Sequence, residues 1–360
     1  MGRSIYHKDG LLYRAPNLAY GYVLFCSING QSANLIDTEG NLIHRWSHDA
    51  GILYGYILEN GNLLCRTMPT DVNLSPGLPG SSGMILELDW ESQVVWKHED
   101  PMMHHDFVRL PNNDMVYLAF GELSKTISSQ IRGGYRNPDD TDIIYGDIIR
   151  EIGFNGQMKN EWKMINSLNF KEDVICPLDT RKEWTHANSL TVTAGGNFLI
   201  SFRNTNTIAI IDRTGEVLWK WGPKNISHQH HATELNNGNI LLFDNGSHSY
   251  GLDRSRIIQI NPYNNAVVWE YVGVPAMSFY SFHLGSAEEQ PNGNVFICEG
   301  SSGRMFEVTY EKEIVWEYVN PYMVYELKSG DLSNMIFRSH KYTTTYPGIA
   351  VNLDKMNDVI

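Results

Sequence analysis

A tight turn built on Asn-Gly-Asn, or a close relative of it, returns five times along the chain, and this recurrence limits the fold more than any other feature. It occurs as Asn60-Gly61-Asn62, Asn112-Asn113-Asp114, Gly195-Gly196-Asn197, Asn237-Gly238-Asn239 and Asn292-Gly293-Asn294. Each turn runs into an apolar stretch such as Phe198-Leu199-Ile200 or Ile240-Leu241-Leu242-Phe243, the pattern of a hairpin turn entering a buried strand. A second landmark keeps step with the first: an apolar pair or near-pair ending in Trp46, Trp96, Trp162, Trp219, Trp269 and Trp316, spaced by 50, 66, 57, 50 and 47 residues. Self-similarity at this period signals stacked sheets or propeller blades.

Six such units cannot each bury both sheet faces alone, and radial packing solves the problem while leaving only short edges. The expected fold class is therefore all-β, a six-bladed β-propeller of four-stranded antiparallel blades forming a single domain over residues 1–360. The blades are placed at about 20–48, 52–98, 103–164, 184–222, 228–272 and 280–320, with polar, Gly- and Pro-bearing insertions at 121–147 and 163–183. The first unit has no clear Asn-Gly-Asn, and Met335 to Tyr342 reads as a strand, so the 321–360 tail is expected to help close the ring. Two β-sandwiches fit less well, because the repeat crosses the middle of the chain without a linker.

Composition bears on partners. Hydrophobic residues make up 42% and charged residues 19% of the 360, enough for a large core, and 28 Lys+Arg against 41 Asp+Glu give a net charge of −13. A broad basic surface for a phosphate backbone is excluded, so no nucleic-acid partner is expected. No apolar run reaches signal-peptide or membrane-span length, which predicts a cytoplasmic protein without a membrane partner. The four cysteines form no C-x-x-C pair, and neither a disulfide framework nor a cysteine-based zinc site is expected. Walker, H-E-x-x-H and G-x-S-x-G signatures are absent.

Four histidines stand in register with the turns. His105 and His230 lie eight residues before the central turn residue, and His186 and His283 lie ten before it. Side chains on a strand alternate with period two, so these offsets place all four on one face of successive innermost strands, pointing toward one end of a central channel. His104 and His231 have the opposite parity and are expected to support neighbours. Arg203, six residues beyond Asn197, returns along its hairpin toward His186, where its fork of donors suits a tetrahedral anion; the alternative is an ion pair with Asp212 or another carboxylate. Asn245 has the same offset from Asn239, and Tyr54 opens the second unit where a histidine would otherwise stand.

The stretches His104-His105-Asp106, Trp184-Thr185-His186-Ala187-Asn188-Ser189, Ser201-Phe202-Arg203-Asn204, Gln229-His230, Phe243-Asp244-Asn245-Gly246, and Cys298-Glu299-Gly300 through Gly303-Arg304 together resemble the bacterial arylsulfotransferase family, the PAPS-independent arylsulfate sulfotransferases. The resemblance covers about residues 20 to 350. It implies a six-bladed propeller in which a channel histidine is transiently sulfated and passes the group between phenols without an external cofactor. His230 resembles the family's nucleophile, and His105, His186 and Arg203 its sulfate-binding groups. Asn245, His283, Tyr54 and Arg304 are expected to contact the small aromatic substrate.

Two other readings use the same residues. His105, His186, His230 and His283 together are a candidate set for a divalent metal ion supporting lyase, hydrolase or oxygenase chemistry. A non-catalytic propeller presenting its rim to a protein partner is the third. A homodimer is an open option for assembly.

Overall fold

The computed structural model describes residues 8–357 except 70, 72, 139–141 and 327–328, with the side chains of 354–357 also outside the description. The fold is an all-β six-bladed propeller of four-stranded antiparallel blades. By backbone contacts the chain divides into two compact units. One holds 1–70, 83–100 and 284–360; the other holds 71–82 and 101–283.

The second unit contains three consecutive blades. Their strands are Met103–Arg109, Met115–Glu122, Tyr145–Ile152 and Met158–Lys163; then Ala187–Val192, Phe198–Phe202, Thr207–Ile211 and Val217–Trp221; then His230–Glu234, Ile240–Asp244, Arg256–Asn261 and Ala266–Val272. The two stretches read as loop insertions are more ordered than the sequence suggests. Gly121 pairs with Gly146 at the end of a lengthened hairpin, while Gly133–Tyr135 pairs in parallel with Ile175–Thr180.

The first unit has three blades of its own. Strand Ile336–Thr343 pairs with Gly21–Ser27, followed by Ser32–Asp37 and Leu42–Ser47. Tyr54–Ile57, Leu63–Arg66, Met84–Leu88 and Val94–Glu99 make the next. Ser286–Glu289, Val295–Glu299, Arg304–Val308 and Ile314–Val319 make the last, to whose outer edge Gly10–Arg14 adds a fifth strand that the repeat did not announce. Helix Pro347–Asn357 follows, and no helix among the described residues is long and apolar enough to cross a membrane.

The recurring turn has one geometry in five places. Its central residue takes a left-handed conformation at Gly61, Asn113, Gly196, Gly238 and Gly293, with φ of 90°, 66°, 79°, 79° and 82°. Glycine adopts this region without strain and asparagine tolerates it, which explains why only these two residues occupy the position. The central N–H donates to the carbonyl three residues back, as in Gly196 to Thr193 at 2.8 Å and Gly238 to Leu235 at 2.8 Å. The first Asn side chain then accepts from the third N–H, as in Asn237 Oδ1 from Asn239 N at 2.9 Å.

The recurring tryptophans lie on the outermost strands, and the indoles of four of them reach the next blade within their unit. Trp46 Nε1 donates to Asp89 O at 2.9 Å, Trp162 Nε1 to Arg213 O at 2.8 Å, Trp219 Nε1 to Asn265 Oδ1 at 2.9 Å and Trp316 Nε1 to Thr38 O at 2.9 Å. Each Trp thus buries apolar area between blades and satisfies its one donor there. The apolar cores sit at the same seams: Leu190, Phe198 and Ile200 pack with Val116, Leu118 and Ile149, and Leu24, Leu35 and Trp46 pack with Ile57, Leu63 and Leu86. All four cysteines are free thiols, three of them buried and Cys176 partly exposed.

Candidate functional site

In each of the three blades of the second unit, strand pairing is irregular where the histidine falls. The register shifts between Tyr117 and Leu118 opposite His104–Phe107, between Ala187 and Ser189, and between His230 and Thr233. His105, His186 and His231 have φ of 46°, 52° and 48°, so a strict period-two count breaks at these positions. Because all three strands break at the same end, the imidazoles still gather there. The His105 and His186 rings are 4.6 Å apart between centroids.

His230 is buried, and its Nδ1 lies 2.7 Å from Asn245 Oδ1 and 3.1 Å from the His228 carbonyl. The Asn245 amide is oriented by its Nδ2, which donates to Ser281 O at 2.8 Å. Both neighbours of Nδ1 are therefore acceptors, which places the proton on Nδ1 and the electron pair on Nε2. Burial holds the His230 pKa well below its ordinary value, outweighing the Asn245 bond, and Arg203, His283 and His186 push it the same way.

Arg203 directly follows strand Phe198–Phe202, and its backbone N–H donates to His186 O at 3.1 Å, so the hairpin does carry it back to that histidine. Its Nη1 donates to Asn204 Oδ1 at 2.9 Å and stands 3.4 Å from Asp179 Oδ1. The paired carboxylate is thus Asp179; Asp212 is occupied by its own turn, accepting from Thr214. His283 lies in the loop before Ser286–Glu289. Burial, then Arg203, lowers its pKa to about 4, and its Nδ1 is buried with no hydrogen-bond partner among the described residues.

Several participants gave no signal in the sequence. Glu183 Oε2 stands 2.9 Å from His186 Nδ1. Asp147 is buried beneath the neighbouring histidines: burial alone would raise its carboxyl, but His104 at 3.2 Å, the Thr185 hydroxyl and the Ala187 N–H hold it below the ordinary range. A Cβ on Gly80 would lie 2.1 Å from His105 Cε1, so the imidazole rests directly on this glycine. His104 supports its neighbour as its parity suggests, with Nδ1 3.0 Å from His105 Nδ1.

Tyr54 and Arg304, expected at the substrate, belong to the other compact unit. The Tyr54 hydroxyl is held by His340 Nε2 at 2.9 Å and Arg338 Nη1 at 3.1 Å. Arg304 is clasped by Glu299 at 2.9 Å and Glu317 at 2.6 Å, and lies over the Phe306 ring. Among the described residues, the group whose donor atoms close on one point is Cys176, Asp179, His228 and His248, not the four-histidine set.

Comparisons with known proteins bear on the whole. A crystal structure of a protein of unknown function from Bacteroides caccae is similar at a TM-score of 0.57 and 14% identity, covering 90% of this chain and 99% of that one. The virginiamycin B lyase of Staphylococcus aureus gives 0.48 at 11% identity, covering 88% and 89%, and the WD40 propeller domain of Doa1 gives 0.49 at 11%, covering 91% and 90%. At 14% identity the likeness to the Bacteroides caccae protein concerns the fold alone. No curated protein sequence matches the chain. A family model for arylsulfotransferase (ASST) matches residues 81–321, more than half of the sequence and the stretch that contains His105, His186, Arg203, His230, Asn245 and His283. The chain belongs to the arylsulfotransferase family.

Proposed function

We propose that the protein transfers a sulfuryl group from an aryl sulfate to a second phenol, with His230 as the covalent carrier. The observation that supports this most directly is the fixed tautomer: Asn245 Oδ1 accepts a hydrogen bond from Nδ1–H at 2.7 Å, which leaves the Nε2 pair as nucleophile. Family membership narrows the group transferred.

In the first half-reaction Nε2 attacks sulfur, the N–S bond forms, and the aryl O–S bond breaks with its electron pair leaving on the phenolate. The resulting sulfo-imidazolium keeps its Nδ1 proton against Asn245. In the second half, an acceptor phenol oxygen attacks sulfur and the N–S pair returns to Nε2. His186, with Glu183 behind its Nδ1, takes the acceptor's proton. Arg203, His105 and His283 supply donors to the sulfuryl oxygens, as preorganised donors stabilise phosphoryl transfer. No metal or organic cofactor enters this scheme.

The test is incubation with p-nitrophenyl sulfate. Release of nitrophenolate together with an acid-labile gain of one sulfuryl mass on the His230 peptide is the expected result. Release without label, or neither, removes the covalent-carrier reading.

A further inference from the structure

Beyond the catalytic histidines, a second cluster joins an insertion to the loops beside it. Cys176 and Asp179 lie on strand Ile175–Thr180, His228 just before strand His230–Glu234, and His248 in the loop after Ile240–Asp244. One donor atom from each lies within 4.8 Å of all the others. Cys176 Sγ is 3.5 Å from His248 Nδ1, His228 Nε2 is 2.7 Å from Asp179 Oδ2, and His248 Nδ1 is 3.8 Å from Asp179 Oδ1. Tetrahedral zinc with bonds of about 2.0–2.3 Å requires donors roughly 3.3–3.7 Å apart, so small side-chain adjustments bring the four into place.

Hydrogen-bond accounting at His228 supplies an independent reason for a cation. Its Nδ1 faces Ser247 O at 2.9 Å and Ser227 Oγ at 3.1 Å, and the Ser227 hydroxyl itself donates to Ser247 O. Both groups therefore accept from Nδ1, which fixes its proton there. A neutral His228 then aims the Nε2 electron pair at a carboxylate oxygen 2.7 Å away, an arrangement of two acceptors that needs a positive centre. A proton would serve only that pair. A divalent ion also engages the thiol and the second imidazole, and an imidazole whose other nitrogen donates to a backbone carbonyl is the usual form of a metal-binding histidine.

We propose that Cys176, Asp179, His228 and His248 form a closed, zinc-type metal site that ties strand Ile175–Thr180 to the two loops and holds Asp179 in place beside Arg203. On binding, the Cys176 thiol releases its proton to solvent. Thiolate and carboxylate then neutralise the divalent charge, so Arg203, 3.4 Å from Asp179, faces no net cation. The sequence expectation of no cysteine-containing zinc site rested on the missing C-x-x-C pair, and here a single cysteine suffices. The site does not depend on which group His230 carries.

The test uses the full chain purified without chelator, equilibrated with Zn²⁺ or Co²⁺ and desalted. One equivalent of zinc is expected, and the cobalt form should show a thiolate-to-cobalt charge-transfer band. Cys176→Ser should lose that band, and His248→Ala should weaken zinc affinity at least tenfold, while His283→Gln changes neither. If Cys176→Ser does not fold, His248→Ala, at a partly exposed loop position, carries the test. Wild-type protein retaining less than a tenth of an equivalent overturns the proposal. So does metal that survives Cys176→Ser and His248→Ala but is lost with His283→Gln.

Discussion

The two compact units differ in what stands beside a key buried basic group, Lys341 in one and His230 in the other. In the first, Lys341 pairs with Glu307, both side chains 0% exposed, Arg304 pairs with Glu299 and Glu317, and His340 Nδ1 stands 2.5 Å from Glu288. In the second, His230 is bonded to a neutral amide, and Arg203 lowers the proton affinity of both His230 and His283. Neutralised pairs specify and hold a fold. A neutral imidazole with a guanidinium nearby suits an arriving anion.

This contrast predicts that substitutions in the two units move different readouts. The largest effect is expected from His230→Ala, with sulfuryl transfer falling by about 10⁴-fold or more, the loss of a covalent route, while urea unfolding changes little; steady-state release of nitrophenolate checks it. In the first unit, Lys341→Met should leave Glu307 buried without its partner and cost about 3–5 kcal/mol of stability. Its effect should be read in the urea midpoint, and a midpoint shift no larger than that of His230→Ala would erase the contrast.

A third expectation concerns pH. His283 titrates near 6.5 when unfolded and at about 4 when folded, because burial and Arg203 oppose its charge. A depressed pKa means that its stabilising contribution is complete above pH 6.5 and is lost as pH falls toward 4. The loss is on the order of 3 kcal/mol, and denaturant melts of His283→Gln across that range should have a shallower pH slope. Asn245→Ala should give the smallest change, about 10- to 100-fold in rate, because it frees the His230 tautomer without removing the nucleophile. Single-turnover labelling measures that step, and an unchanged rate would mean that Asn245 does not orient the imidazole.

What the sequence disclosed follows the range of the interactions. The turns were legible because a left-handed central residue needs Gly or Asn wherever it occurs, and the outer-strand tryptophans because four of them, Trp46, Trp162, Trp219 and Trp316, perform the same task at their seams. The gathering of His105 with His186 was legible through their even-numbered offsets of eight and ten residues from those turns, even though the irregular pairing breaks the alternation used to infer it. Glu183, Asp147 and Gly80 were not visible, since their roles depend on contacts across strands or from a separate loop rather than on any repeat position. Arg304 stands in a stretch that resembles the family's, and the structure adds what its motif did not announce: Glu299 and Glu317 engage its guanidinium. His228 was within reach, two residues from His230, but nothing local linked it to Asp179.

The pairing of Ile336–Thr343 with Gly21–Ser27 has a consequence for biosynthesis. A ribosome delivers these two segments about 300 residues apart, so the earlier one must wait with an open hydrogen-bonding edge while every intervening blade is made. Late arrival of the closing strand makes that edge the point most exposed to mispairing with a neighbouring nascent chain.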